Sequence, residues 1–169
     1  MTDFIRQEFQ VKEADKTTII DHGASAPRPQ MPGGCILYII GLPGSGKSAV
    51  AAHLAGELGR PAHTLPLEGA AEALERILAA GPAVVEVPHK LLTDEAFRQR
   101  LQSTGRVLYL MASVEAIAQR LGKTDEERER LGRLRSNYEP WFMQTLHLMA
   151  PTDAPLDEVL ADVLERVRM

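Results

Sequence analysis

The stretch Cys35-Ile36-Leu37-Tyr38-Ile39-Ile40-Gly41-Leu42-Pro43-Gly44-Ser45-Gly46-Lys47-Ser48 decides the fold. Residues 41 to 48 fill every fixed position of the pattern G-x-x-x-x-G-K-[ST]. The residues before them are an apolar run short enough for a buried strand, and Ala49 to Leu58 reads as a helix. A strand, then a glycine loop, then a helix is the context this pattern needs.

Each residue type there has a physical reason. Glycines admit backbone conformations barred to other residues and let the chain approach a phosphate with no Cβ in the way. The turn points successive N–H groups inward, and the helix that follows adds a partial positive charge. Gly41, Leu42, Pro43, Gly44, Ser45, Gly46, Lys47, Ser48 and Ala49 are therefore candidate contacts for a nucleotide, taken as ATP. Lys47 is expected to bridge the β- and γ-phosphates, and the Ser48 hydroxyl to hold Mg²⁺.

Working outward, residues 1–34 form an N-terminal extension and 35–169 one domain. Strand-like residues at Phe9 to Lys12 and Thr17 to Ile20 suggest a small hairpin. Gly23 to Gly34 is a linker by its proline and glycine content. Beyond Cys35, strands and helices alternate. Strands are expected at Pro61 to Leu65, Ala83 to Val87, Arg106 to Met111 and Leu146 to Ala150. Helices are expected at Ala70 to Ala80, Asp94 to Gln102 (capped by Thr93 and ended by Gly105), Ser113 to Leu121, Thr124 to Arg135, Tyr138 to Thr145 and Leu156 to Val167. Such alternation gives an α/β fold of three layers, a parallel sheet of about five strands with helices on both faces. Ligands then lie beyond the carboxyl ends of the strands.

The bulk properties exclude other classes. Net charge is −4, which argues against a general nucleic-acid or anionic-membrane surface. The single cysteine, Cys35, rules out an intrachain disulfide framework and reads as a small core residue. No run has the roughly 18 apolar residues of a membrane span, and the polar start is no signal peptide. The five histidines show no metal spacing. The expectation is a cytoplasmic protein, monomeric by default, with a nucleotide and a small molecule as its partners.

From Cys35 to the end the chain resembles shikimate kinase, one of the small nucleoside-monophosphate-kinase-like P-loop enzymes. The resemblance rests on Ile39 to Ser48 followed by Leu54-Ala55-Gly56-Glu57-Leu58-Gly59-Arg60-Pro61. It continues at Val107-Leu108-Tyr109-Leu110 with Ser113 to Ile117 and Arg120, and more weakly at Leu134 to Glu139. It implies a P-loop NTPase/kinase fold and Mg²⁺–ATP phosphoryl transfer, with Lys47 stabilising the transferred group. It also implies that Arg120 stacks on adenine, a role suited to a planar guanidinium, and that the loop Thr152 to Pro155 borders the base. A solvated arginine at a helix end and a first-turn proline are the plainer readings of Arg120 and Pro155.

The substrate half departs from the family. The Asp-x-Asp pair of its second strand, whose first acid assists Mg²⁺, falls on Thr64 and Pro66. The arginine for the shikimate carboxylate has no clear counterpart, and the substrate arginine just before the tyrosine is out of register, with Arg133 and Arg135 as imperfect candidates. The Gly-Gly-Gly stretch after the third strand reads Glu86-Val87-Pro88-His89-Lys90, and the family's lid motif is absent near Gly122-Lys123-Thr124. Glu86 is the best remaining acid, as a partner of a Mg²⁺ water or of the acceptor proton, with Glu68 as a second choice. His89 and Lys90 are candidate acceptor contacts. The charged run from Lys123 to Arg135 is either an ion-paired helix or a mobile lid. Trp141, Phe142 and Met143 are expected to pack.

Two functions follow from these residues. One is a small-molecule kinase acting on a hydroxyl of shikimate or a similar acceptor. The other is a nucleotide-binding module without shikimate kinase activity that serves regulation or interaction.

Overall fold

The computed structural model describes residues 36–169 and, further upstream, the backbone of residues 10–11 and 20–21. The chain divides into two units, Met1–Pro32 and Gly33–Met169. In the first, β1 (Gln10–Val11) pairs antiparallel with β2 (Ile20–Asp21). The expected linker from Gly23 to Gly34 and Cys35 lie outside the described residues.

The second unit is built on β3 (Ile36–Ile40), buried along its whole length. It lies at the centre of a five-stranded sheet of order β4-β5-β3-β6-β7. The others are β4 (Ala62–Thr64), β5 (Val84–Glu86), β6 (Gly105–Met111) and β7 (Leu148–Pro151). Every pairing is parallel. A central strand covered on both faces needs apolar side chains at every position, which is why β3 reads as an unbroken apolar run.

Strand periodicity sends alternate β3 residues to opposite faces. Ile36, Tyr38 and Ile40 join Val85, Val107 and Tyr109 in one core, and Leu37 and Ile39 join Val84, Leu108 and Leu110 in the other. Helices α1 (Lys47–Leu58) and α6 (Leu156–Arg168) cover the second face with Val50, Leu54, Val159 and Val163. The first face is covered by α2 (Ala70–Ala80), α3 (Glu95–Thr104), α4 (Val114–Leu121) and α5 (Asp125–Thr145). The chain moves to one side of β3 for β4 and β5, then to the other for β6 and β7. That reversal opens a crevice beyond β3 and β6, where the 41–46 loop lies.

Three local expectations need correction. The cap of α3 is Asp94, whose carboxylate accepts from the amides of Ala96 and Phe97, and Thr93 instead donates to Lys90 O at the end of a 3₁₀ turn, His89–Thr93. The charged run and Tyr138 to Thr145 form one helix, α5, that continues through Pro140. A proline inside a helix costs roughly 3 kcal/mol. Opposing it are a capping box at Thr124 and Glu127 and the burial of Leu131 and Phe142, with Phe142 stacked on Tyr109 at 4.8 Å. Trp141 does pack, beneath the Arg98 guanidinium 4.4 Å from its ring centroid, but Met143 is 52% exposed.

Gly105 is the first residue of β6, and it is a glycine for want of space, since its φ is −167°. A Cβ there would sit 2.2 Å from the Ile36 carbonyl oxygen, a backbone atom of the neighbouring strand. Gly105→Ala is expected to destabilise the domain by about 3 kcal/mol, at the upper end of overpacking costs, as a lower urea midpoint.

His147 supplies a second stability test. Its Nδ1 accepts from the Val107 amide at 2.9 Å while its own amide donates to Val107 O at 2.8 Å, extending the β6–β7 pairing. Burial, with help from Arg106, holds its pKa below the ordinary value of 6.5. The folded chain therefore binds this proton less readily than the unfolded chain. The contribution is complete above pH 6.5 and is lost as pH falls through the folded pKa. His147→Asn keeps an acceptor that does not titrate there. Urea titrations at several pH values should show a shallower loss of stability below pH 6.5 in this variant, the remainder including His89, whose pKa is also lowered.

Candidate functional site

The loop between β3 and α1 has the backbone that its glycines permit. Gly41, Gly44 and Gly46 have φ of 157°, 81° and 96°. At Gly41 a Cβ would lie 2.7 Å from Ser45 Oγ and 3.0 Å from Leu110 O, so the loop closes over its own serine. Ser45 is 1% exposed, and its hydroxyl has no protein partner among the described residues.

Lys47 opens α1 yet points back across the loop. Its Nζ donates to the carbonyls of Gly41 and Leu42, both at 2.9 Å. The side chain is 9% exposed. Burial lowers its pKa, and the Glu86 carboxylate partly offsets this. Ser48, one residue on, is exposed, and its hydroxyl donates to Glu86 at 3.2 Å (Oε1) and 3.0 Å (Oε2). Glu86 ends β5, the strand beside β3, in register with Ile39. The acid at the end of the apolar strand is thus hydrogen-bonded directly to the residue that follows Lys47.

Two cavities meet at the loop, sharing Gly46 and Ala49. One, of about 540 Å³, lies between α1, α4 and the β7–α6 loop. Its lining includes Arg120, Thr152, Asp153 and Pro155, so the two residues expected beside a base are together. The Arg120 guanidinium donates to the Thr152 carbonyl, and Asp153 Oδ1 accepts from the Ser113 amide at 2.8 Å. These bonds tie the two ends of α4 to the β7–α6 loop. Ala116 and Gln119 also line this cavity, although the sequence reading passed them over. Ala116 lies one turn before Arg120, a spacing that would have flagged it.

The other cavity, of about 520 Å³, is lined by Lys47, Ser48, Glu86, Pro88 and His89, together with loop residues. His89 meets Tyr138 of α5 edge to face, with centroids 4.8 Å apart. Burial lowers the His89 pKa first, and Lys47 and Lys90 lower it further. Nothing near His89 in the chain signals the Tyr138 contact, because the partner lies on a helix far along the sequence.

Other candidates fall outside both linings. Lys90 and Glu68 are exposed, and Arg135 pairs with Glu139 at 3.5 Å. In the charged run, Lys123 pairs with Glu127, Arg128 with Glu115 and Arg130 with Glu126. Among the described residues no cluster of three or more His, Cys, Asp or Glu forms a metal site, and no helix is long and apolar enough to cross a membrane.

No family model matches the chain. Shikimate kinases of Coxiella burnetii are 27% identical to it over 150 residues, covering 69% of this chain and 84% of theirs. Among solved structures, shikimate kinase from Bacteroides thetaiotaomicron superposes with a TM-score of 0.70 at 14% identity, covering 80% of this chain and 99% of that one. Shikimate kinase from Acinetobacter baumannii, in complex with shikimate, gives 0.65 at 20% identity, covering 79% and 90%. A deoxyadenosine kinase from M. mycoides with bound dATP gives 0.59 at 14% identity, covering 79% and 100%. At these structural identities the likeness is one of fold. The chain is shikimate-kinase-like, and its fold is that of the P-loop kinases.

Proposed function

We propose that this protein is a small-molecule kinase that transfers the γ-phosphoryl group of ATP to a hydroxyl of a polyhydroxylated acceptor related to shikimate. The observation that carries the reading is the Ser48–Glu86 hydrogen bond beside Lys47, with a cavity on each side of the loop. Phosphoryl transfer needs positioning and charge stabilisation more than covalent help. The loop amides and Lys47 hold the β- and γ-phosphates. Arg120 and Pro155 hold the base in the first cavity, and the second takes the acceptor.

Magnesium prefers oxygen ligands and in such sites takes one or two from the protein, the rest being water and phosphate. The hydroxyl of Ser48 and the carboxylate of Glu86 fit that donor set. When bound, the ion neutralises charge on the phosphates. In the family the acid that assists the metal stands where this chain has Thr64. Thr64 is the register partner of Glu86 on the adjacent strand, so the acid is displaced by one strand at the same height.

In the transfer, a bond forms between the acceptor oxygen and the γ-phosphorus, and the bond from that phosphorus to the β–γ bridging oxygen breaks. ADP leaves with the electron pair. The hydroxyl proton passes to the Glu86 carboxylate and on to solvent. We assign the protein to the cytoplasm, where its nucleotide is abundant.

Lys47→Ala should weaken Mg²⁺–ATP binding by at least tenfold in calorimetry, since a buried ammonium of the phosphate cradle is lost. If this variant binds like the parent, the loop does not act as a phosphate site. Glu86→Gln should depress kcat by about 10²-fold and leave ATP affinity within a few-fold of the parent. Unchanged turnover in coupled ADP release would clear Glu86 of a role.

A further inference from the structure

Gly44 lies near the tip of the loop, with the backbone freedom of a glycine and a φ of 81°. On one side of it the Ser45 amide donates to Leu42 O at 3.1 Å, and further on Val50 donates to Gly46 O at 3.0 Å. Among the described residues no backbone hydrogen bond of the loop involves the Gly44 peptide itself. What stands against it is a pair of side chains from α4. A Cβ built at Gly44 would lie 2.9 Å from Leu121 Cδ1, 3.2 Å from Leu121 Cγ and 3.0 Å from Ile117 Cγ2. These two residues fill the space that a side chain at position 44 would take.

They differ in what else they do. Ile117 is fully buried and belongs to the core on the first face of the sheet. Leu121 is 46% exposed and belongs to neither core. A leucine left half in water adds less to folding than one sealed in a core. Its backbone is fixed all the same. Gly122 ends α4 in the left-handed conformation at φ 63°, and the Lys123 amide donates to Ala118 O at 2.9 Å. Such a Schellman-type end satisfies the last carbonyls of the helix. Ser113 caps the other end, and the bond from Arg120 to Thr152 O ties α4 to the β7–α6 loop. Leu121 thus reaches the Gly44 backbone from a helix held at both ends.

We propose that Leu121 is a positioning residue for the phosphate loop: by confining Gly44, it keeps the loop amides arranged for a polyphosphate before one binds. This rests on the nucleotide-binding reading above and adds to that site a residue from outside the loop. The loop then loses little backbone freedom when phosphate arrives. Without the leucine Gly44 is released, and fixing one residue's backbone again on binding costs the equivalent of about tenfold in affinity.

The test uses Leu121→Ala in the full chain, because alanine keeps the helix. Hydrogen exchange is measured first, on the ligand-free protein. Exchange of the loop amides from 41 to 48 should rise roughly fivefold, while β3 stays as protected as in the parent and the urea midpoint hardly moves. Calorimetry then compares Mg²⁺–ATP with Mg²⁺–tripolyphosphate, which lacks a base. Both should bind about tenfold more weakly to the variant. Leu121→Met restores an apolar side chain of similar volume and should return both affinities to within about threefold of the parent.

Parent-like loop exchange, or parent-like polyphosphate affinity, in Leu121→Ala overturns the proposal. So does a loss confined to ATP, which would place the effect in the wall of the first cavity rather than in the loop. Loss of β3 protection together with a lower urea midpoint overturns it too, since the leucine would then serve the fold. If the parent itself fails to bind Mg²⁺–ATP, the nucleotide-binding reading falls and takes the proposal with it, a result separate from any difference between parent and variant.

Discussion

A buried ammonium held by two carbonyls of its own loop is the constraint from which the rest of the site follows. Lys47 is anchored to Gly41 O and Leu42 O, and burial makes that charge costly unless it is fully solvated by fixed dipoles. The loop must therefore keep a tight curve, and the curve demands positive φ at Gly41, Gly44 and Gly46. A Cβ at Gly44 would meet Leu121 Cδ1 at 2.9 Å and Ile117 Cγ2 at 3.0 Å, so α4 presses on the loop as well. The loop is thus held from below by β3 and from the side by the helix that carries Arg120.

The topology turns this local constraint into a site with two sides. Because the connections that follow β3 and β6 run in opposite directions, to β4 and to β7, the loop has a gap on each side. Toward β6 the gap is closed by α4 and the β7–α6 loop, stitched by the bonds of Arg120 to Thr152 and of Asp153 to Ser113. Toward β5 it is closed by Glu86 and the turn carrying His89, which leans on α5 through Tyr138. A donor nucleotide and an acceptor approaching from opposite sides would meet over the loop, which is the arrangement in-line transfer requires.

The sheet and the loop were legible in the sequence because both are written locally. An unbroken apolar run followed by glycines at fixed spacing needs no knowledge of distant residues, and Ser113 capped its helix as its position suggests. What the chain hid was long-range. The helical stretches ending at Arg135 and beginning at Tyr138 read as two until Phe142 is seen buried against Tyr109 on one continuous helix. Asp94 and Thr93 are neighbours of similar capping propensity, and only the 3₁₀ turn that takes in Thr93 decides which one serves. Gly105 looks like a helix stop, yet the crowding that requires it comes from Ile36, far back in the chain. The pairing of Arg120 with Pro155 in one cavity came from resemblance, whereas the contact of His89 with Tyr138 had no signal of either kind.

The position of the acid has a simple geometric consequence. Adjacent strands lie about 4.8 Å apart, so β5 is one spacing from β3 and β4 is about two. A glutamate on β5 can touch Ser48 directly, as Glu86 does, while a side chain at Thr64 on the exposed edge strand would reach the loop only through solvent. A carboxylate on β5 reaches the wall of the second cavity as well as the serine. Such a carboxylate therefore changes what stands beside Ser48 without disturbing the loop.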